Sequence, residues 1–348
     1  MKNYTIYNLV RPNVLAMKAY SSARDEYTDM SQDMIFIDAN ENPFTNGVNR
    51  YPDPQQRTLK SLIASQKSVD EAQILLGNGS DEVLDLVFRA FCVPGKDNVI
   101  TLPPTYGMYT VLSTTNDIVN KEIQLLENFQ PDVPKILEAI NEHTKLIFIC
   151  SPNNPTGNLI STTAIVELLE NFKGLVVIDE AYIDFTAAES WISQLQEYPN
   201  LVITQTLSKA YGMAGIRLGL LFASNEIISI LNKIKPPYNV NVLTQMKALE
   251  RLHDTQEVAK EVKRIIQSKV RMQKELKDIS FIKQTYTSDA NFILCKVDNA
   301  TKRYKQLLEQ GIVVRNRSSQ ALCENTLRFT IGTPQENEQL IKTLKALD

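Results

Sequence analysis

Short runs of β-branched and aliphatic residues recur along the chain: NVITL (98–102), KLIFIC (145–150), GLVVID (174–179), LVITQT (201–206) and IRLGLLFA (216–223). Between most of them, apolar residues fall at helical spacing, as in SDEVLDLVFRAFC (80–92), VPKILEAINE (133–142) and TTAIVELLENF (162–172). Strands that are apolar throughout and alternate with helices predict an α/β fold, with a largely parallel sheet sandwiched by helices. A long polar helix is predicted over roughly 241–277. The order then changes to strand, strand, helix, strand, strand, helix, through FIKQTYT, NFILCKV, TKRYKQLLEQ, IVVR, TLRFTIG and QENEQLIKTLKAL. That order predicts a smaller α+β domain. The first 45 or so residues, with Pro12 and Pro43, have no such period and are expected to pack across the rest. The expected division is residues 1–45 as an N-terminal segment, 46–240 as the large domain, and 241–348 as linking helix and small domain.

Composition narrows the chemistry. The 348 residues carry a net charge of −3 and no basic run, which gives no sign of a nucleic-acid partner. No apolar stretch approaches the roughly 20 residues that span a bilayer, and the N-terminus lacks the apolar core of a signal peptide. Cys92, Cys150, Cys295 and Cys323 have no paired spacing and read as thiols of a reducing compartment, so the cytoplasm is expected. With only His143 and His253, a histidine-built metal site is not expected. Both histidines fall in polar surroundings and read as surface residues. If the protein is an enzyme, its protons are moved by something else. Glycine is also scarce, 12 in all, so a glycine here more often than usual marks a place where the backbone needs positive φ or close approach.

The polar residues that stand out follow directly on the strands. KLIFIC runs into SPNNPTG, GLVVID into EAYIDF, and LVITQT into LSKAYGMAGIR. Asn154, Asp179 with Tyr182, and Lys209 therefore arrive at one edge of the sheet, where such sheets bind ligands. Singly, each has an ordinary reading: a turn, a helix cap, a solvated lysine. Together, a lysine, a carboxylate and an asparagine at neighbouring strand ends suit pyridoxal phosphate. That cofactor needs a lysine for its Schiff base and an acid opposite its pyridinium nitrogen. Its phosphate needs helix N-terminal N–H groups, hydroxyls and a guanidinium. LLGNGSDEV offers Gly79, Ser80 and Asp81 at a helix start, which is also what an ordinary helix cap looks like; Thr206, Ser208 and Arg217 offer the rest. Tyr106, in PPTYGMY, offers a ring face, though such rings often only pack.

SPNNPTG, VIDEAY and TLSKAYGMAGIR, in this order and separation, resemble the fold-type I pyridoxal-phosphate aminotransferases of class II over essentially the whole chain. The segments VRPNVLAMKAYSSARDE, IDANENPF, NRYPDPQ and VVRNRSSQALCENTLRFTIG resemble, more narrowly, the histidinol-phosphate aminotransferase family.

The resemblance implies roles. Lys209 carries the cofactor and shuttles the proton between Cα and C4′. Asp179 pairs with the pyridinium nitrogen, Tyr182 and Asn154 hydrogen-bond the 3′-oxygen, and Tyr106 stacks on the ring. Gly79, Ser80, Asp81, Thr206, Ser208 and Arg217 surround the phosphate. Tyr51 reaches the cofactor of a second subunit, which implies a homodimer. Arg328 takes a substrate carboxylate or phosphate, and Arg315 and Tyr20 complete the substrate phosphate site. The expected reaction moves the amino group of L-histidinol phosphate to 2-oxoglutarate. The alternatives within the fold are an aromatic amino-acid aminotransferase and a threonine-phosphate decarboxylase. A non-catalytic module disagrees with the presence of Lys209, and a nicotinamide dehydrogenase would need a G-x-G-x-x-G turn that LGNGSDEV does not supply.

Overall fold

The computed structural model describes residues 5–20, residue 24 and residues 35–348. The main sheet has seven strands: β1 (Ile74–Asn78), β2 (Asn98–Thr101), β3 (Val119–Glu122), β4 (Thr144–Cys150), β5 (Leu175–Asp179), β6 (Leu201–Thr206) and β7 (Leu218–Ala223). They lie in the order β1-β7-β6-β5-β4-β2-β3. Strand β7 runs antiparallel to both neighbours, and the other adjacent pairs are parallel. A second sheet joins β8 (Ile282–Thr285), β9 (Phe292–Val297), β10 (Arg315–Asn316) and β11 (Thr326–Thr330) in the antiparallel order β10-β11-β9-β8. The α-helices among the described residues are α1 (Pro12–Ala16), α2 (Arg57–Lys67), α3 (Gly79–Phe91), α4 (Met108–Thr115), α5 (Val133–Ala139), α6 (Thr162–Asn171), α7 (Asn225–Ile234), α8 (Val242–His253), α9 (Thr255–Leu276), α10 (Ala300–Glu309) and α11 (Pro334–Ala346). None of these is long and apolar enough to cross a membrane.

The unbroken apolar runs of the main sheet have a simple cause. Alternate side chains of a strand point to opposite faces, and here each face has its own core. Ile147, Ile149, Val176, Ile178, Leu201 and Ile203 enter one cluster with α2, α5 and α6. Leu146, Phe148, Leu175, Val177 and Val202 enter the other with α3, α4 and α7. Ile6, Val10 and Val14 of the N-terminal segment join that second cluster. The small sheet has a separate core, made with α9, α10 and α11.

Three elements differ from the sequence expectation. The predicted helix over 241–277 is two helices, because Asp254 leaves helical geometry and accepts the Glu257 N–H at the start of α9. Strand β3, with sequence VNKE, is a polar edge strand and carries no apolar signal. Strand β1 runs straight into α3, so its short ILLGN reads as the approach to a helix.

That β1–α3 junction fixes a close backbone contact. Gly219 of β7 pairs with Gly77 of β1. A Cβ at Gly219 would lie 2.2 Å from the Gly79 carbonyl carbon and 2.3 Å from the Ser80 nitrogen. Backbone cannot yield as a side chain does, so Gly219→Ala displaces the α3 N-terminus. Its unfolding free energy should fall by roughly 1–3 kcal/mol in urea titration. Gly215→Ala, whose Cβ meets nothing within 4 Å, is the control and should stay within about 0.5 kcal/mol of wild type. Equal effects from the two changes would contradict the contact.

Candidate active site

Parallel strands that end at one edge deliver their following residues side by side. Asp179, the last residue of β5, lies opposite Cys150 of β4 and Thr204 of β6. The turn after β4 supplies Asn154, and the turn after β6 supplies Lys209. The N-terminus of α3 and the segment before β7 close the other side. Ser80, Asp81, Tyr106, Asn154, Asp179, Tyr182, Thr206, Ser208, Lys209 and Arg217 all line one cleft, with Cys150, Ala181 and Ala214. Neither histidine lines it.

Asp179 is 3% exposed. Its Oδ2 accepts from the Tyr109 hydroxyl at 2.9 Å and its Oδ1 from the Ala181 N–H at 3.1 Å. No ion pair neutralises it among the described residues, and burial raises its pKa above the usual carboxylate range. The neighbouring Glu180 shows the contrast. Its oxygens are taken by the Trp191 N–H, Gln205 Nε2 and the Ser190 hydroxyl, and it does not line the cleft. Asp179 alone is a buried carboxylate turned toward open space.

Lys209 Nζ stands 5.8 Å from the centre of the Tyr182 ring. Partial burial in the cleft and the Arg328 guanidinium hold its ammonium below the ordinary pKa, against the pull of Asp179 and Asp81. Asn154 Nδ2 donates to the Tyr182 hydroxyl at 3.4 Å. Its Oδ1 accepts from Arg328, which reaches over from β11 and lies 4.9 Å from the Phe292 ring. The two sheets thus meet over the cleft.

The other end of the cleft is a cradle at the start of α3. Gly79 has φ +78°, and a Cβ there would fall 2.5 Å from an Arg217 guanidinium nitrogen. Glycine lets Arg217 lie against the backbone. Arg217 also sits 3.6 Å from Asp81, which accepts from the Tyr106 hydroxyl at 3.1 Å. Thr206 Oγ1 donates to Ser208 Oγ at 3.0 Å. The Gly79 N–H donates to the Arg217 carbonyl at 2.9 Å and no side chain caps α3, so the next N–H groups and these hydroxyls lie beside a guanidinium, an arrangement suited to a phosphate.

Five expected residues are not among those lining the cleft: Gly79, Arg315, Arg328, Tyr20 and Tyr51. Tyr20 and Tyr51 line a larger cavity of about 1030 Å³, which shares no lining residue with the Lys209 cleft. Tyr51 is half exposed and stacks on Tyr238, ring centres 4.5 Å apart. The sequence reading passed over Tyr109 and Arg317. Tyr109 sits three residues after Tyr106 in PPTYGMY, and nothing in the sequence separates its role from packing. Arg317 follows Arg315 by two residues, a strand spacing that shares a face.

The Asp179 charge has a consequence for stability. A buried carboxyl with a raised pKa contributes most to stability below the ordinary value of about 3.9, and the contribution is lost as pH rises through the raised value. Asp179→Asn does not titrate. In cofactor-free protein, urea titrations from about pH 4 to about pH 7 should show the stability difference moving in favour of the variant as pH rises. A difference that is flat with pH would assign the charge no such effect.

The chain matches the family model for aminotransferases of class I and II over residues 25–344. The histidinol-phosphate aminotransferase of Flavobacterium johnsoniae is 61% identical over 349 residues, with 100% of each chain covered. The crystal structure of histidinol-phosphate aminotransferase from Clostridium acetobutylicum has a TM-score of 0.80 at 28% identity, covering 86% of this chain and 91% of that one. The Sinorhizobium meliloti protein of that name, solved in complex with pyridoxal-5′-phosphate, shares the fold with a TM-score of 0.78 at 21% identity, covering 86% and 84%. This chain belongs to the class I and II aminotransferases, in the histidinol-phosphate aminotransferase family.

Proposed function

We propose that the protein moves the amino group of L-histidinol phosphate to 2-oxoglutarate, giving imidazole-acetol phosphate and glutamate, in histidine biosynthesis. The observation that carries this reading is the single cleft into which Lys209 and the unneutralised Asp179 carboxylate both open, with Arg328 held over it through Asn154. The names of the full-length relatives narrow the substrate.

The cofactor proposed here is pyridoxal phosphate, which when bound supplies an aldehyde carbon for amine exchange and a ring that draws electrons from the substrate Cα. The residues fit it. Asp179 is a buried carboxylate without an ionic partner among the described residues and would hold a proton at the ring nitrogen. Tyr182 and Asn154 would hydrogen-bond the 3′-oxygen, and Tyr106 would offer its ring face. The Ser80 and Asp81 N–H groups at the start of α3 would hold the phosphate, with the Ser80, Thr206 and Ser208 hydroxyls and Arg217, whereas the Gly79 N–H already donates to the Arg217 carbonyl at 2.9 Å. Lys209 Nζ would hold the cofactor and, as a neutral amine, would take and return the substrate Cα proton. The depressed pKa of Lys209 suits that task, because only the neutral amine accepts a proton. Arg328 and Arg315 bind the substrate anions, as guanidinium forks suit carboxylate and phosphate.

A homodimer completes the site. Tyr51 lies in a cavity apart from the Lys209 cleft of its own chain, which supports its reaching the cofactor phosphate of the partner. Tyr20 lines the same cavity and is 72% exposed, and it joins the substrate phosphate site in the assembled protein. Four buried, unpaired cysteines support a cytoplasmic setting.

Adding histidinol phosphate to purified protein should abolish the visible absorbance of the lysine-bound cofactor, and 2-oxoglutarate should restore it. Lys209→Ala should retain the cofactor and lose at least about a thousandfold in turnover. Fast reaction with phenylalanine or tyrosine and none with histidinol phosphate would contradict the reading, as would carbon dioxide release from phosphothreonine.

A further inference from the structure

Strand β10 places Arg315 directly opposite Arg328 of β11, and residues so paired share a sheet face. The ladder continues beyond β10, where the Arg317 N–H donates to the Thr326 carbonyl at 3.0 Å. Arg317 is two residues after Arg315, so it belongs to that same face. Three guanidiniums therefore stand together where the small sheet meets the cleft. None of the ion pairs among the described residues includes Arg315, Arg317 or Arg328.

Two further observations show that this face is incomplete. The Nε atoms of both Arg317 and Arg328 are buried without a hydrogen-bond partner. Buried donors are normally satisfied, and each orphan marks a place for an acceptor. The cations also act on one another: burial first, and then Arg317, pushes Arg328 down to about 10. Burial and Arg315 likewise lower Arg317. Like charges that disfavour one another's ionised form are relieved when an anion binds among them. Arg317 acts electrostatically on Tyr182, which lines the Lys209 cleft.

We propose that Arg317 is a third anion-binding residue of the substrate site, which with Arg315 and Arg328 grips the phosphate of the amino donor. This rests on the function proposed above and adds a residue to it. A phosphate monoester carries close to two negative charges at neutral pH and three strong acceptor oxygens, each able to accept more than one hydrogen bond, so a third guanidinium still finds an acceptor. A substrate without the phosphate gains nothing from Arg317, so the residue determines specificity for the phosphorylated donor.

The test uses the full-length holoenzyme with Arg317→Gln and Arg317→Lys. In single half-reactions, Arg317→Gln should raise the apparent Kd for histidinol phosphate about tenfold or more, the loss expected for one charged hydrogen-bonding partner. Its rate at saturation, and its reaction with unphosphorylated histidinol, should stay within about twofold of wild type. Arg317→Lys should recover part of the affinity. Inorganic phosphate, titrated calorimetrically, should bind more weakly to Arg317→Gln. An unchanged Kd for histidinol phosphate, or an equal loss with histidinol, would overturn the proposal. If wild-type protein fails to react with histidinol phosphate, the functional reading fails. The phosphate titration still decides whether Arg317 binds an anion, since equal phosphate affinity in wild type and variant would remove it from the site.

Discussion

The site is organised around one buried negative charge. Asp179 sits at the end of a strand that is apolar to its last turn, and no cation in the described structure neutralises it. Burying a carboxylate in this way is unfavourable unless a partner arrives. Tyr109 and the Ala181 N–H fix its orientation. Tyr109 is itself wedged against Phe148, ring centres 4.9 Å apart, and Phe148 stacks on Phe88 of α3. An aromatic column thus ties the carboxylate to the same helix whose N-terminus forms the phosphate cradle. The distance between the charge and the cradle is set by packing rather than by loops.

Along the cleft, Asp179 lies at the floor, Asp81 and Arg217 at the cradle, and Arg328 reaches over from the small sheet. Lys209 feels all four. Its basicity is therefore set by two sheets at once. Any movement of the small sheet that carries Arg328 toward or away from Asn154 changes the field at Nζ. The hydrogen bond from Arg328 to Asn154 makes that coupling direct, because Asn154 also touches Tyr182.

Much of this was legible in the sequence, and for a physical reason. A strand buried on both faces is continuously apolar, so its first polar residue marks its end; Asp179 was found that way, and Lys209 and Asn154 by following the next two strands. The strands of the small sheet are legible in order because the amphipathic α10 divides them into two pairs and α11 closes the second. What escaped lacks a one-dimensional signature. Strand β3 is an exposed edge, and the break at Asp254 is a single polar residue in a polar helix. Tyr109 gains its meaning only from Asp179, seventy positions away. Arg317 was within reach of the alternation rule, but VVRNRSS reads as a surface turn until Arg328 is placed opposite. Tyr20 and Tyr51 were named from resemblance, and the fold of one chain leaves them beside a different cavity.

The central claim is that the charge on Asp179 is completed by a protonated ring nitrogen. Nuclear magnetic resonance of the holoenzyme carrying pyridoxal phosphate labelled at that nitrogen reads the protonation directly. The account predicts a protonated nitrogen in wild type at neutral pH and a deprotonated one in Asp179→Asn. A deprotonated nitrogen in the wild-type enzyme would contradict it.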